Sequence, residues 1–176
     1  MSVLVGYATA GGSTRGIAER IAAGLHGGTA VELGVPGEAV SVRDYDALVL
    51  GSAIHNGQWL PAAAAAVERI RAELEGRTVW AFSVSSVGAT STTLSPRLAR
   101  YLRRGTPEPR AVQMLRSVAD VRDHRFFAGA IGPGDWPGFG RVVFRMMGGR
   151  YGDARDWDDI DAWTGRIRSA LAEDAR

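Results

Sequence analysis

Several short runs in this chain are apolar at successive positions rather than at every second one. "DALVLGSAI", Asp46–Ile54, is the clearest. A strand with one face in water alternates, whereas a strand apolar throughout is covered on both faces. Ser2–Tyr7, Thr29–Leu33, Arg77–Val84 and Arg125–Ile131 read the same way. Between these runs the period changes. Ile17, Ala18, Ile21, Ala22 and Leu25 recur at helical spacing over Thr14–Leu25, and Gly27 and Gly28 stop that helix. Leu60–Glu75 carries Val67, Ile70 and Leu74 on one face and ends at Gly76. Further helices are predicted over Leu94–Arg104, Pro109–Val118 and Phe139–Met147, and a closing helix runs through Ile160, Trp163, Ile167 and Leu171. Fully apolar strands alternating with helices predict a parallel sheet covered on both faces. The expected fold is α/β: one domain over residues 1–176, with a doubly wound, five-stranded parallel sheet in the order 2-1-3-4-5.

In such a sheet ligands bind beyond the carboxyl ends of the strands, where the strand order reverses. Here that point lies between the first and third strands. The loops there are Thr9–Thr14 and Ser52–Trp59, and the loop Ser83–Thr93 should close the same site. The first is built for a phosphate. Gly11 and Gly12 let the backbone turn its N–H groups inward, Thr9, Ser13 and Thr14 offer hydroxyls, and the following helix points its positive end at the site.

Composition narrows the choice of phosphate. All 21 basic residues are arginine, because the chain has no lysine. Gly6 and Gly11 have P-loop spacing, but Gly12 stands where the lysine belongs. The dinucleotide pattern of three glycines is also missing. A loop of hydroxyls and amides without a cation suits a phosphate monoester. There is no cysteine, which excludes disulfides and thiol chemistry. A net charge of +2 does not argue for nucleic acid. No apolar run reaches the roughly 20 residues of a membrane span, and "MSVLVGYA" shows no basic leader, so a cytoplasmic location is expected.

The stretch "TAGGSTRGIA" resembles the phosphate loop of flavodoxin-like FMN proteins. "DYDALVLGSAIHNGQW" is similar to their third strand and flavin-contacting loop. "FFAGAI" with "RMMGGRYGDARDWDDIDAW" resembles the C-terminal part of menaquinone-dependent protoporphyrinogen dehydrogenases. The resemblance implies a flavodoxin-like fold and non-covalent FMN. It implies that Thr9, Ala10, Gly11, Gly12, Ser13 and Thr14 hold the phosphate. Ser52, Ala53, Ile54, His55, Asn56 and Gly57 would line one side of the ring, with Trp59 stacking, and Ser83, Ser85, Ser86, Val87 and Gly88 the other. The implied reaction passes electrons from a porphyrinogen through the flavin to a quinone. Two alternatives stay open: an electron carrier or quinone reductase with another donor, and a non-catalytic domain that binds FMN weakly or not at all. No side chain is singled out as a catalytic acid or base, and no metal is expected.

One departure stands out. The loop Ser83–Thr93 contains no aromatic residue, so the ring face is expected to be open, as a bulky substrate or a quinone needs. Arg97, Arg100, Arg103 and Arg104 cluster on one helix, unlike an acidic electron shuttle. "GFGRVVFRMMGGR", Gly138–Arg150, joins apolar residues to three arginines and suits peripheral contact with the inner face of the cell membrane, while Trp136 is placed near the substrate. His26 and His124 read as a helix-end residue and a surface turn, and the acids of "GDARDWDDID" as helix capping. No serine–histidine–acid set is ordered along the chain in a recognisable pattern.

Overall fold

The computed structural model describes residues 1–35, 41–135 and 138–176. In chain order the elements are β1 (Val3–Ala8), α1 (Ser13–Gly24), β2 (Gly28–Glu32), β3 (Ala47–His55), β4 (Gln58–Trp59), α2 (Pro61–Arg69) and β5 (Thr78–Ser85). They continue with α3 (Pro96–Gly105), α4 (Arg110–Val118), β6 (Asp120–Ala128), β7 (Ala130–Ile131), α5 (Phe139–Met146), β8 (Gly152–Asp153) and α6 (Trp157–Asp174). The main sheet runs β2-β1-β3-β5-β6, all parallel, which is the expected 2-1-3-4-5 order of its five long strands. The short β4 folds back antiparallel on the end of β3.

The uninterrupted apolar runs follow from two cores, one on each face of the sheet. Val3, Val5 and Tyr7 of β1 join the cluster under α1 and α6, while Leu4 and Ala8 join the one under α2 and α4. Side chains alternate along a strand, so both sets must be apolar. Trp163 of α6 anchors the first core. It is 1% exposed, meets Phe82 and Phe127 edge-on, and donates its indole N–H to Asp123 at 2.7 Å. Gly51 on β3 makes room for Phe82, since a Cβ there would lie 2.3 Å from the ring.

The structure corrects some boundaries. β6 starts at Asp120, five residues before the predicted Arg125, and Gly129 separates it from β7. "DVRDH" is charged because β6 is an edge strand, where polar side chains are tolerated and discourage further pairing. His124 therefore does not lie in a surface turn: it is a strand residue whose side chain is 3% exposed. The predicted helix over Leu60–Glu75 ends at Arg69 and continues as a single 3₁₀ turn, Arg71–Glu73. At the start of α6, Asp156 caps the helix by accepting the Asp159 N–H at 3.1 Å, as expected. Its neighbours are paired, Asp153 with Arg155, Asp159 with Arg125 and Asp161 with Arg20.

Candidate functional site

The turn between β1 and α1 is closed by one side chain. Gly12 donates its N–H to Thr9 Oγ1 at 2.9 Å, and Gly12 sits at φ 86°, in the left-handed region that favours glycine. No side chain caps α1, so the N–H groups of its first turn stay available to an anion. Thr14 is fully buried, and its hydroxyl has no hydrogen-bond partner among the described residues. A buried orphan of that kind costs about 1–3 kcal/mol unless a ligand satisfies it. Arg15 turns away from the cradle and pairs with Glu32 at 2.6 Å and Tyr7 Oη at 3.2 Å. The Glu32 carboxylate and then Tyr7 hold its guanidinium pKa above the ordinary value. The cradle thus works through amides, hydroxyls and the helix dipole.

Two adjoining cavities open beyond the strand ends. One, of about 360 Å³, begins at Ala10, Gly11 and Ser13 and continues past Ala53, Ile54, His55 and Asn56, with Ser85 and Ser86 opposite. The other, of about 480 Å³, shares Ile54, Ser85 and Ser86 and continues past Gly57, Val87 and Gly88. Of the predicted residues, these twelve line the cavities. The other six support them from behind. Thr9 and Gly12 shape the turn, and Thr14 is buried beside it. Ser52 accepts the Leu60 N–H and donates to the Ala53 carbonyl, which fixes the β3–β4 hairpin. Trp59 does not stack on the ring site as its place in the sequence suggests. It lies in the core, 3% exposed, and donates its indole N–H to the fully buried Ser83 at 2.8 Å. Trp136 lies outside the described residues.

The loop after β5 is held by contacts that spacing alone does not reveal. Ser85 Oγ accepts the Val87 N–H and donates to the Val87 carbonyl. Arg103 of α3 reaches over and donates to the Gly88 and Ser91 carbonyls. Gly88 presses against β6, where a Cβ would lie 2.3 Å from the Ala128 backbone nitrogen. The remaining walls come from residues not foreseen: Val84 with Gly129, Ala130, Ile131 and Asp135 in the first cavity, and Leu94, Leu102, Phe126 and Met147 among those in the second. The parallel topology could have found the first set, because it brings the end of β6 to the same edge as β1 and β3.

A flavodoxin-domain model matches residues 4–148. The chain belongs to the flavodoxin family. No curated protein matches it significantly. Among solved structures, a flavodoxin from Pseudomonas aeruginosa, in a cysteine-to-serine variant, shares 13% identity and superposes with a TM-score of 0.53, over 98% of this chain and 99% of that one. Rubredoxin oxygen:oxidoreductase from Desulfovibrio gigas matches at 16% identity and TM-score 0.52, over 98% of this chain but 36% of its own. A flavodiiron protein from Giardia intestinalis matches at 20% identity and TM-score 0.52, over 71% of this chain and 30% of its own. At these identities the likeness is one of fold. The chain thus corresponds to about a third of each of those two larger proteins.

The residues of this flavodoxin-family member fit FMN on their own terms. The uncapped first turn of α1, with Gly11 and Ser13 at the cavity and the orphan Thr14 hydroxyl buried beside it, suits a phosphate monoester, and the adjoining cavities leave room for a flat ring between the two loops. Asp135 is the one carboxylate lining the first cavity among the described residues; it accepts the Gly132 N–H at 2.5 Å.

Proposed function

We propose that this chain binds FMN and works as an oxidoreductase of the protoporphyrinogen-dehydrogenase type, with a quinone as electron acceptor. One observation carries the reading. Beyond the ring walls Gly57, Val87 and Gly88, the cavity of about 480 Å³ continues past the apolar side chains Leu94, Leu102, Phe126 and Met147, and it has no aromatic lid from the β5 loop. An electron shuttle needs only an exposed ring edge; room for a second large apolar molecule suits an enzyme. FMN, when bound, supplies the redox chemistry. The protein grips the phosphate at Thr9–Thr14, positions the ring between the 53–57 and 85–88 segments, and keeps one face open. In net terms the donor gives up two electrons and two protons per turn, and the quinone takes up both pairs to become a quinol.

Contact with a membrane surface belongs to the same reading. Phe139, Val142 and Met146 of α5 are 79%, 50% and 82% exposed, and Arg141 and Arg145 stand exposed among them. The other face of α5 is seated by the fully buried Phe144. Apolar side chains ringed by arginine suit an anionic lipid surface. No helix among the described residues is long and apolar enough to cross a membrane.

Two measurements test the proposal. FMN-loaded protein mixed with protoporphyrinogen and a menaquinone analogue should generate porphyrin fluorescence well above the air-oxidation control. Fluorescence equal to that control removes the protoporphyrinogen reading and leaves a flavin carrier or a reductase with another donor. In sedimentation with phosphatidylglycerol-containing vesicles, the protein should pellet, and Phe139→Ser/Met146→Ser should cut the bound fraction severalfold. Equal pelleting of the double variant sinks the α5 contact.

A further inference from the structure

A chain of four side chains runs beneath the cavities and reaches the second of them at His124. Trp59 donates to Ser83 Oγ at 2.8 Å, Ser83 Oγ lies 2.9 Å from His124 Nε2, and His124 Nδ1 lies 3.0 Å from Glu108 Oε1. Glu108 in turn accepts from Arg116 at 3.0 Å. The order serine–histidine–glutamate is that of a hydrolase triad. Ser83, however, is fully buried beneath Trp59 and lines neither cavity, so no substrate reaches it.

Only one arrangement of protons satisfies the chain. An indole N–H only donates, and an ionised carboxylate only accepts. Arg116 holds Glu108 below the usual carboxylate range, so Glu108 is ionised and His124 Nδ1 carries the hydrogen. A neutral imidazole then leaves Nε2 as the acceptor for the Ser83 O–H. If Nε2 gains a proton, the bond reverses: Nε2–H donates to Ser83 Oγ, which already accepts from Trp59, and the hydroxyl hydrogen is left without an acceptor in a fully buried place, which is costly and strains the chain.

Two adjacent members of the chain, Trp59 and Ser83, stand behind the two walls of the flavin site. Trp59 follows the hairpin tip Asn56–Gly57, and Ser83 stands two residues before Ser85. We propose that His124 is a positioning residue: while its imidazole is neutral, the Glu108–His124–Ser83–Trp59 chain holds the hairpin tip and the end of β5 at the spacing a flavin ring needs, and protonation releases them. This rests on the FMN reading above.

The charges around His124 set where the release falls. Burial is the largest influence and lowers its pKa from the ordinary 6.5. Glu108 of the α3–α4 loop opposes that, as does the more distant Asp123 on β6, while Arg116 of α4 adds to the lowering. Arg103 and Arg125 line the same cavity as His124. The grip is therefore complete above the ordinary value of 6.5 and is lost as pH falls below it toward the lowered value.

The test is FMN affinity, read by flavin fluorescence from about pH 8 to about pH 5, either side of the ordinary histidine range, for the wild type, His124→Gln and Glu108→Gln. Glutamine places a carbonyl oxygen near the Nε2 position, keeps the Ser83 bond and does not titrate. Its curve carries what the wild type shares, the ionisation of the FMN phosphate and of the other titratable groups at the site. At the alkaline end His124→Gln should bind within a few-fold of the wild type. On acidification the wild type should weaken about tenfold relative to it, as the buried Ser83 hydroxyl is left without an acceptor. Glu108→Gln should move that fall to lower pH, because the protonated imidazole loses its counter-charge. A ratio of wild type to His124→Gln that stays constant with pH overturns the proposal, and so does an upward shift in Glu108→Gln. Wild type that binds no FMN at the alkaline end overturns the flavin reading itself, and this inference with it.

Discussion

Thr14→Glu is expected to purify colourless and to take up no added FMN. Thr14 is fully buried at the start of α1, where the helix dipole and free amides favour an anion. A carboxylate placed there crowds the first turn of α1, beside the cradle, and repels a phosphate held at it. Two unit charges about 4 Å apart cost roughly 4 kcal/mol near a protein surface, which alone is close to a thousandfold in affinity. Because a glutamate at a buried position can also disturb folding, Thr14→Val is the companion. It keeps the shape and removes only the orphan hydroxyl, so it should retain the wild-type circular dichroism and bind FMN about tenfold more weakly. Thr14→Glu protein that stays yellow places the phosphate elsewhere.

The largest effect on stability is expected at Trp163. Its side chain fills the space between α6 and the sheet, meets Phe82 at 6.3 Å and Phe127 at 5.5 Å between ring centroids, and satisfies Asp123. Trp163→Ala leaves a large cavity and an unpaired carboxylate near β6. The expected cost is about 3–5 kcal/mol, against a total stability of about 5–15 kcal/mol for a domain. Urea denaturation should show the midpoint falling by about a fifth or more with little change in slope. Trp163→Phe, which keeps most of the volume but not the N–H donor, should lose about 1–3 kcal/mol. A Trp163→Ala midpoint within error of the wild type contradicts the assignment of this core.

Much of this architecture is legible in the sequence because its signals are local. The apolar runs of β1, β3 and β5 are buried on both faces, so their period is unmistakable, and parallel pairing follows. The glycine and hydroxyl turn at Thr9–Thr14 announces an anion cradle through residue type alone. The start of β6 is hidden because it is an edge strand whose charges are used in pairs: Arg122 with Asp120 and Asp174, and Asp123 with Trp163. His124 is misread for the same reason. In sequence it sits between Asp123 and Arg125, which suggests solvent, while its partners lie 16 and 41 residues away. Trp59 shows the limit of reading loops by composition. An aromatic residue next to a flavin loop suggests stacking, but the two-residue strand β4 turns its indole inward to Ser83. Arg103 groups by spacing with the other arginines of α3, yet its guanidinium secures the loop that would face the ring.

The flavin reading rests on the cradle at the start of α1 holding a phosphate monoester. Side-by-side titration of the unloaded protein with FMN and with riboflavin isolates that contact, because the two ligands differ only by the phosphate. Several charge-assisted hydrogen bonds to amides and hydroxyls should make FMN bind at least about a hundredfold more tightly. Equal affinity for the two, or no binding of either, contradicts it.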